Sequence, residues 1–596
     1  MKLNKFLLSA IAAASLTACS DSPEIVDNNK GHWNADGTGY VSLSISMPDN
    51  VGSKGSRANN YIFEKGDDNE YAVKNATLVI FSGDTDDEAS MKIEAAYDLP
   101  LSFTTEGGDG NQIISKGKLT KQINKITKTY AKALVILNMP SNLHLDGNSL
   151  TYDVTTATGT TTETFNGTFT DFQALQSKLN VDVDDTKGFT MTNAPLTKGQ
   201  SGTTVPTTGE TTTLATIDKD NIKPTAEEAS NHPAAEIYVE RSVAKVTVNN
   251  STGTTPTITT NTNIKYSIDG YVLDNTNTTS YIVRNADETA TKWYNLKSKS
   301  ASVSGSDQYR FIGTSPVYGS YYRTYWAKDP NYTNPAGETG QAKVGLETNT
   351  TYDTFTSIDK ASYCRENTFD VENQTQENTT RAILRVQMWT GEDGNKGHTY
   401  YMYNDDATTF TDNLASAANN IVNNLAGVPS GTTVQEVVLE GLVNGKAKIK
   451  HIKINSSATE VSNGNIFESL KNYFGDITVY TNGYAYYPVL IKHFGDQLTP
   501  WNITDAAKKE WTTQPSAGGI DQIYPNGDSN RDANYLGRYG VVRNNWYELN
   551  IKSVKRPGKP AINTPKDTPD DELDSYISVS INILSWAKRS QDVDLQ

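Results

Sequence analysis

Cysteine is almost missing from this chain: of 596 residues, only Cys19 and Cys364 carry a thiol. Cys19 falls at the end of an N-terminal leader, which leaves Cys364 alone, so no intrachain disulfide is expected to staple the fold. Cys364 itself reads as a buried or idle thiol rather than a nucleophile. Long apolar runs are also missing, since nothing after the leader approaches the ~20 apolar residues of a membrane-spanning helix. Positive charge is in deficit: a net charge of −16 and a pI near 5.0 argue against nucleic acid as a partner and favour a soluble, self-repelling surface. The six histidines, His32, His144, His232, His398, His451 and His493, are scattered without the spacing of paired metal ligands. No nucleophile elbow, phosphate-binding loop or dinucleotide fingerprint occurs. Carboxylates are so common in an acidic chain that their pattern does not exclude a glycosidase. Residues 528–532 begin like a calcium loop, but Ala533 stands where the loop needs Gly and Tyr539 where it needs a carboxylate. That run and the acidic run 84–88 therefore read as solvated turns. No metal, cofactor or catalytic residue is predicted.

Strand-forming patterns fill the chain instead. Residues 40–47 alternate cleanly, with Val41, Leu43, Ile45 and Met47 on one face and Ser42, Ser44 and Ser46 on the other. Segments 76–81 and 133–137 read as buried central strands, and 235–248 as one long strand. Further strands are predicted at 264–273, 382–388, 435–442, 484–491 and 546–554. Helices are few. One is predicted from Thr170 to Leu179, with Thr170 and Gln173 forming a capping box, and one from 412 to 425 on its helical spacing. Both are expected to pack on sheets. Thr-, Gly- and Pro-rich stretches at 155–164 and 199–213 read as loops, and 223–233 is the best linker candidate. The result is an all-β chain built of two β-sandwiches.

Both ends are distinctive. Lys2 and Lys5 precede an apolar run and then Leu16-Thr-Ala-Cys19, the pattern of an export signal ending in a lipidated cysteine. At the other end, Ile577, Val579, Ile581 and Ile583 alternate with polar residues, followed by Leu584 and Trp586. A Pro- and Asp-rich stretch precedes this strand. It reads either as the last strand of its own domain or as a strand made to be added to another sheet, where main-chain hydrogen bonds give strength and alternate side chains give specificity.

These segments, with 239–245 (Val-Glu-Arg-Ser-Val-Ala-Lys) and 541–554 (Val-Val-Arg-Asn-Asn-Trp-Tyr-Glu-Leu-Asn-Ile-Lys-Ser-Val), resemble the Bacteroidales type V fimbrial subunits, in particular the Mfa-type shaft subunits of the fimbrillin family. They recur in the family's order over almost the full length; residues 300–430 have no clear match. The resemblance implies two tandem Greek-key, transthyretin-like sandwiches with few short helices and an appended C-terminal donor strand. It implies a signal peptide at 1–18, lipidation at Cys19, a propeptide with a removable strand at 19–57, sandwiches at 58–230 and 231–556, a flexible tether at 557–574 and a donor strand and tail at 575–596. An outer-membrane lipoprotein precursor would be cut by an arginine-specific protease between Arg57 and Ala58. Removal of the strand bearing Val41, Leu43, Ile45 and Met47 would open a groove for the terminal strand of another copy, giving a cell-surface fimbrium for adhesion. The partners implied are other copies of the chain and accessory or anchor subunits, with the surface receptor unspecified.

One cluster suits a binding surface: Tyr318, Tyr321, Tyr322, Tyr325 and Trp326. Such aromatics stack on sugars, contact proteins or pack inside a domain, and packing is the more usual use. An exposed patch here would favour a tip adhesin over a shaft subunit. A surface glycan-binding lipoprotein or glycosidase is the alternative from another class.

Overall fold

The computed structural model describes most of the chain between residues 33 and 585, leaving out 47–69, 199–210, 286–309, 343–354, 494–535, 566–576 and several shorter stretches. Eight strands form the frame of the first unit. They are β1 (Thr38–Ser46), β2 (Ala76–Gly83), β3 (Lys92–Asp98), β4 (Phe103–Gly108), β5 (Gln112–Asn124), β6 (Tyr130–Leu137), β7 (Met191–Asn193) and β8 (Ala235–Arg241). Their order is β3-β2-β6-β7-β8-β1-β5-β4, and a two-residue strand, Ala215–Thr216, pairs with β6. The sheet folds over on itself, so that Val41, Leu43, Leu119 and Ile123 share one core with Leu78, Ile80, Val135 and Val239. Burial of that core is the chief stabilising term, at roughly 25 cal/mol per Å² of apolar surface.

The second unit is a sandwich of two four-stranded sheets. It uses β9 (Val243–Asn250), β10 (Asn261–Asp274), β11 (Ala361–Arg365) and β12 (Arg381–Thr390). Between β12 and the rest, an inserted sheet holds β13 (Tyr400–Tyr403), β14 (Val434–Val443), β15 (Lys446–Ile454) and β16 (Ile477–Tyr480). The sandwich resumes with β17 (Tyr484–Leu490), β18 (Asn545–Val554) and β19 (Ile577–Ser585). One sheet runs β11-β9-β18-β19, and the other runs from the short strand Thr257–Ile258 through β10 and β12 to β17. Val246 and Val248 of β9 and Leu549 and Ile551 of β18 meet Tyr266, Leu384 and Val386 from the opposite sheet. The all-β expectation is therefore met.

Among the described residues, four α-helices accompany the sheets: α1 (Phe169–Gln173), α2 (Ala226–Asn231), α3 (Leu414–Val422) and α4 (Asn465–Phe474). The helix predicted over 412–425 is α3, capped by Asn413, whose side chain accepts from the Ser416 N–H. It packs with α4 on the inserted sheet through Leu414, Ala418, Phe467 and Leu470, against Ala447, Ile449 and Ile452. Alternating lysines let β15 turn one apolar face to those helices and a charged face to water.

Several local expectations are corrected. The helix predicted from Thr170 begins earlier and is shorter: Thr168 is the N-cap, and its capping box closes with Asp171 instead of Gln173. The loop expected at 155–164 is part of a hairpin between Ser149–Thr156 and Gly159–Thr164, where Thr155 and Thr160 hydroxyls pair at 3.2 Å. Threonine's β-branch suits a strand as well as its hydroxyl suits a turn. The long strand predicted over 235–248 is broken at Ser242, with β8 in the first sheet and β9 in the second. The change of sheet thus falls at Ser242.

Candidate functional site

The strand expected to be removable lies in the interior. β1 runs antiparallel to β5 from the Thr38–Asn124 pair to the Ser46–Lys116 pair, and parallel to β8 from Leu43–Ala235 to Ser46–Tyr238. Val41, Leu43 and Ile45 are buried, and full burial of three such side chains is worth roughly 5–9 kcal/mol. The opposite face is also covered at Ser42, which accepts from the Thr120 hydroxyl at 3.2 Å, while its carbonyl takes the Ala234 N–H at 2.7 Å. The segment expected to be a linker makes that cover. Lys223 exchanges two backbone hydrogen bonds with Tyr40, at 2.7 and 3.0 Å, and α2 packs over β1 and β5. Thr225 caps α2, and its hydroxyl also pairs with Glu228. Excision of β1 would leave two strands, β5 and β8, each with an unpaired edge and an apolar floor between them.

The terminal strand has a different setting. β19 pairs antiparallel with β18, from Asn545–Ser585 to Val554–Ile577, with an irregularity between Ile551 and Ser553. Of the two readings the sequence left open, the pairing within its own domain is the one seen. Ile577, Val579, Ile581, Ile583 and Leu584 all lie on this strand, which among the described residues borders its sheet with one neighbour only. Of the tether expected at 557–574, residues 557–562 are anchored: Lys559 bridges to Tyr486 at 2.8 and 3.0 Å, and Tyr480 and Tyr487 donate to Gly558 and Arg556, each at 3.0 Å.

Between the strands lies a charged junction that the sequence motifs 239–245 and 541–554 build together. β9 and β18 run parallel, bringing Lys245 opposite Trp546. The Lys245 ammonium stands 4.0 Å over the Trp546 ring and 2.7 Å from Glu70. Arg241 donates to the Glu70 carbonyl at 3.1 Å, and its backbone N–H donates to Asn544 at 3.2 Å. Deeper in, Arg543 donates to Glu366 at 2.8 and 2.6 Å, and to Ser280 and the Tyr281 carbonyl at 2.8 and 2.9 Å. Arg284 is fully buried, 3.6 Å from Glu366 and 3.7 Å from Glu240. Burial pushes the Glu366 carboxyl up, but Arg543 and Arg284 outweigh it and hold the group below its usual range. Lys245 pairs with Glu70, Arg543 with Glu366, and Arg284 lies between Glu366 and Glu240, so the cluster serves as a strut between the units. Sequence reasoning missed Glu366 and Arg284, which no motif or spacing marks.

The remaining candidates separate. Trp326 is interior: its indole donates to the Phe369 carbonyl at 3.1 Å and its ring meets Phe369 edge-on. Gly540, at φ 122°, allows this packing, because a Cβ there would lie 2.8 Å from the Trp326 ring and 2.6 Å from the Asn367 oxygen. Trp326 thus belongs to no exposed patch. Tyr321 and Tyr322 lie on the strand Gly319–Arg323. Tyr318, Tyr325, Cys19, Met47, Arg57, Ala58 and Trp586 lie outside the described residues. Cys364 is buried on β11, and burial pushes its thiol up to about 12, so it stays protonated and inert. In the acidic run 84–88, Asp84 and Asp86 pair with Lys128 and Lys132, Asp87 caps a short turn, and Glu88 accepts from the Thr213 and Leu214 N–H groups.

Residues 523–592 match the family model for the C-terminal part of the type IV major fimbrial subunit protein, fimbrillin. That stretch contains β18 and β19, and the match bears out the resemblance to fimbrial subunits on the segment holding the terminal strand. A comparison with curated proteins gives no match. Among solved structures, the chain is similar to a C-terminally truncated tip fimbrial protein, Mfa3, of Porphyromonas gingivalis, at 12% identity and TM-score 0.28, covering 92% of this chain and 100% of that one. A fimbrial assembly protein of Parabacteroides distasonis is similar at 11% identity and TM-score 0.25, covering 59% and 85%. A protein of Bacteroides eggerthii, provisionally assigned to cell adhesion, is similar at 11% identity and TM-score 0.32, covering 95% and 100%.

Proposed function

We propose that this chain is a structural subunit of a cell-surface fimbrium, without enzymatic activity, which polymerises by exchange of its two terminal strands. The observation that supports this reading is the contrast between those strands. β1 is an inner strand held on both edges, whereas β19, among the described residues, pairs along one edge only. Arg57 follows β1 in the stretch that links it to the next strand, so a cut there separates β1 from the chain that continues at β2. Once β1 leaves, the β19 of a second copy gains two ladders between β5 and β8 in place of the single ladder on β18. Its one-sided apolar pattern of Ile577, Val579, Ile581 and Ile583 matches that of Val41, Leu43 and Ile45. The contact is head to tail and does not close on itself, so it builds a filament. The lipid on Cys19 would hold the precursor at the outer membrane until an arginine-specific protease releases the subunit.

The test treats the full exported chain with an arginine-specific protease, with and without residues 577–596, and scores fibres by electron microscopy and the new N-terminus by mass spectrometry. Fibres are expected only where the cut falls after Arg57 and the terminal strand is present. Fibres formed without either, or monomers with both, would refute strand exchange.

A further inference from the structure

The inserted unit carries a cleft that neither terminal strand uses. It has a volume of about 610 Å³ and lies between α3, the turn Ala407–Thr409 and Tyr473 of α4. Two buried aromatics, Tyr403 and Phe410, line it from the core side. Tyr473 is 47% exposed, with its ring centroid 5.8 Å from that of Tyr403 and its orientation fixed by an edge-on contact with Phe474. The exposed lining is polar, with the carboxamides of Asn420 and Asn424 beside the hydroxyls of Thr408 and Ser416. Asn424 donates one hydrogen bond, to the Asn420 carbonyl at 2.8 Å, and its oxygen is left to accept. The shape is preformed: the Thr409 hydroxyl bonds both the N–H and the carbonyl of Tyr403, at 3.0 and 2.9 Å, and Asn413 caps α3.

None of the twelve lining residues carries a charge, and the carboxylates nearby in sequence, Asp405, Asp406 and Asp412, are exposed. We propose that this cleft binds an uncharged sugar ring. A pyranose offers an apolar C–H face, which a half-exposed tyrosine ring can cover, and a ring of hydroxyls that both donate and accept. Carboxamides and hydroxyls answer both needs, whereas a charged side chain answers only one. Preformed concave sites with aromatic walls and a few convergent polar groups are the usual form of small-ligand sites. The acidic surroundings and the lack of a lining cation disfavour sialylated or sulfated glycans. In a filament, many copies of a weak site would act together, but the site itself needs no assembly.

The experiment uses the full exported, unpolymerised chain on an array of neutral oligosaccharides with their sialylated and sulfated counterparts, followed by calorimetric titration of the best neutral hit. Neutral sugars are expected to bind and the acidic ones not. Tyr473→Ala should weaken binding about tenfold, the scale of one lost aromatic contact, while Tyr473→Phe keeps most of it. Asn420→Ala should also weaken binding, and its exposed position leaves the melting temperature unchanged. Failure to bind any neutral glycan, unchanged affinity in both Tyr473→Ala and Asn420→Ala, or preference for acidic glycans would overturn the assignment.

Discussion

Asp329 and Glu366 are both buried carboxyls, and their surroundings push them in opposite directions. Glu366 faces two guanidinium groups and stays ionised. Among the described residues, Asp329 receives only neutral donors, from Asn277 at 2.5 Å, from the backbone and side chain of Asn331 at 3.0 and 2.6 Å and from the Thr368 N–H at 3.1 Å. Burial, abetted by the charge on Glu366, raises Asp329 to about 7 from an ordinary 3.8. A group raised on folding binds its proton more tightly in the folded state. Its contribution is therefore full below its unfolded value and is lost as pH rises through the folded one. Relative to Asp329→Asn, whose side chain does not titrate, the natural chain should lose stability as pH rises from 4 to 7, by at most about 4 kcal/mol, and change little beyond. Denaturant unfolding at several pH values would measure this. Neither carboxyl was legible in the sequence, because what distinguishes them is which remote residues fold against them.

At the scale of elements, β1 carries the most specific energetic claim. Leu43 is fully buried between two sheet faces, so Leu43→Ala should cost about 2–5 kcal/mol in the uncleaved chain, as a core truncation does. Urea denaturation before and after cleavage at Arg57 gives the sharper result: the cost should vanish once β1 has gone, and its persistence would mean that the strand stays. Period-2 alternation made β1 readable, and runs rich in apolar, strand-forming residues made β12, β14 and β18 so. β5 and α4 carry no such mark, and α2 lies in the stretch whose composition reads as a linker. A six-residue helix is too short to declare a period, and what makes α2 a helix is its packing over β1 and β5.

For the molecule as a whole, the buried strut decides whether the two units behave as one. Arg543→Ala would leave Glu366 buried beside a single, more distant guanidinium, and should cost about 3–5 kcal/mol. Calorimetry of the natural chain should show one unfolding transition, and Arg543→Ala should split or broaden it, whereas an unshifted transition would show that the strut carries no load. The sequence by itself determined the all-β class, the longer strands at the centre of both units and the alternation that marks both terminal segments, because side-chain period is a local property of the chain. Tertiary structure alone decided that the strand over 235–248 breaks at Ser242, that Trp326 turns inward and that the final strand pairs with β18. It also brought Glu366, Arg284 and Arg543 together. Those outcomes depend on contacts between residues distant in the sequence, from Trp326 and Phe369 to Glu366 and Arg543, and long-range packing and charge pairing leave no mark on the local pattern of the chain.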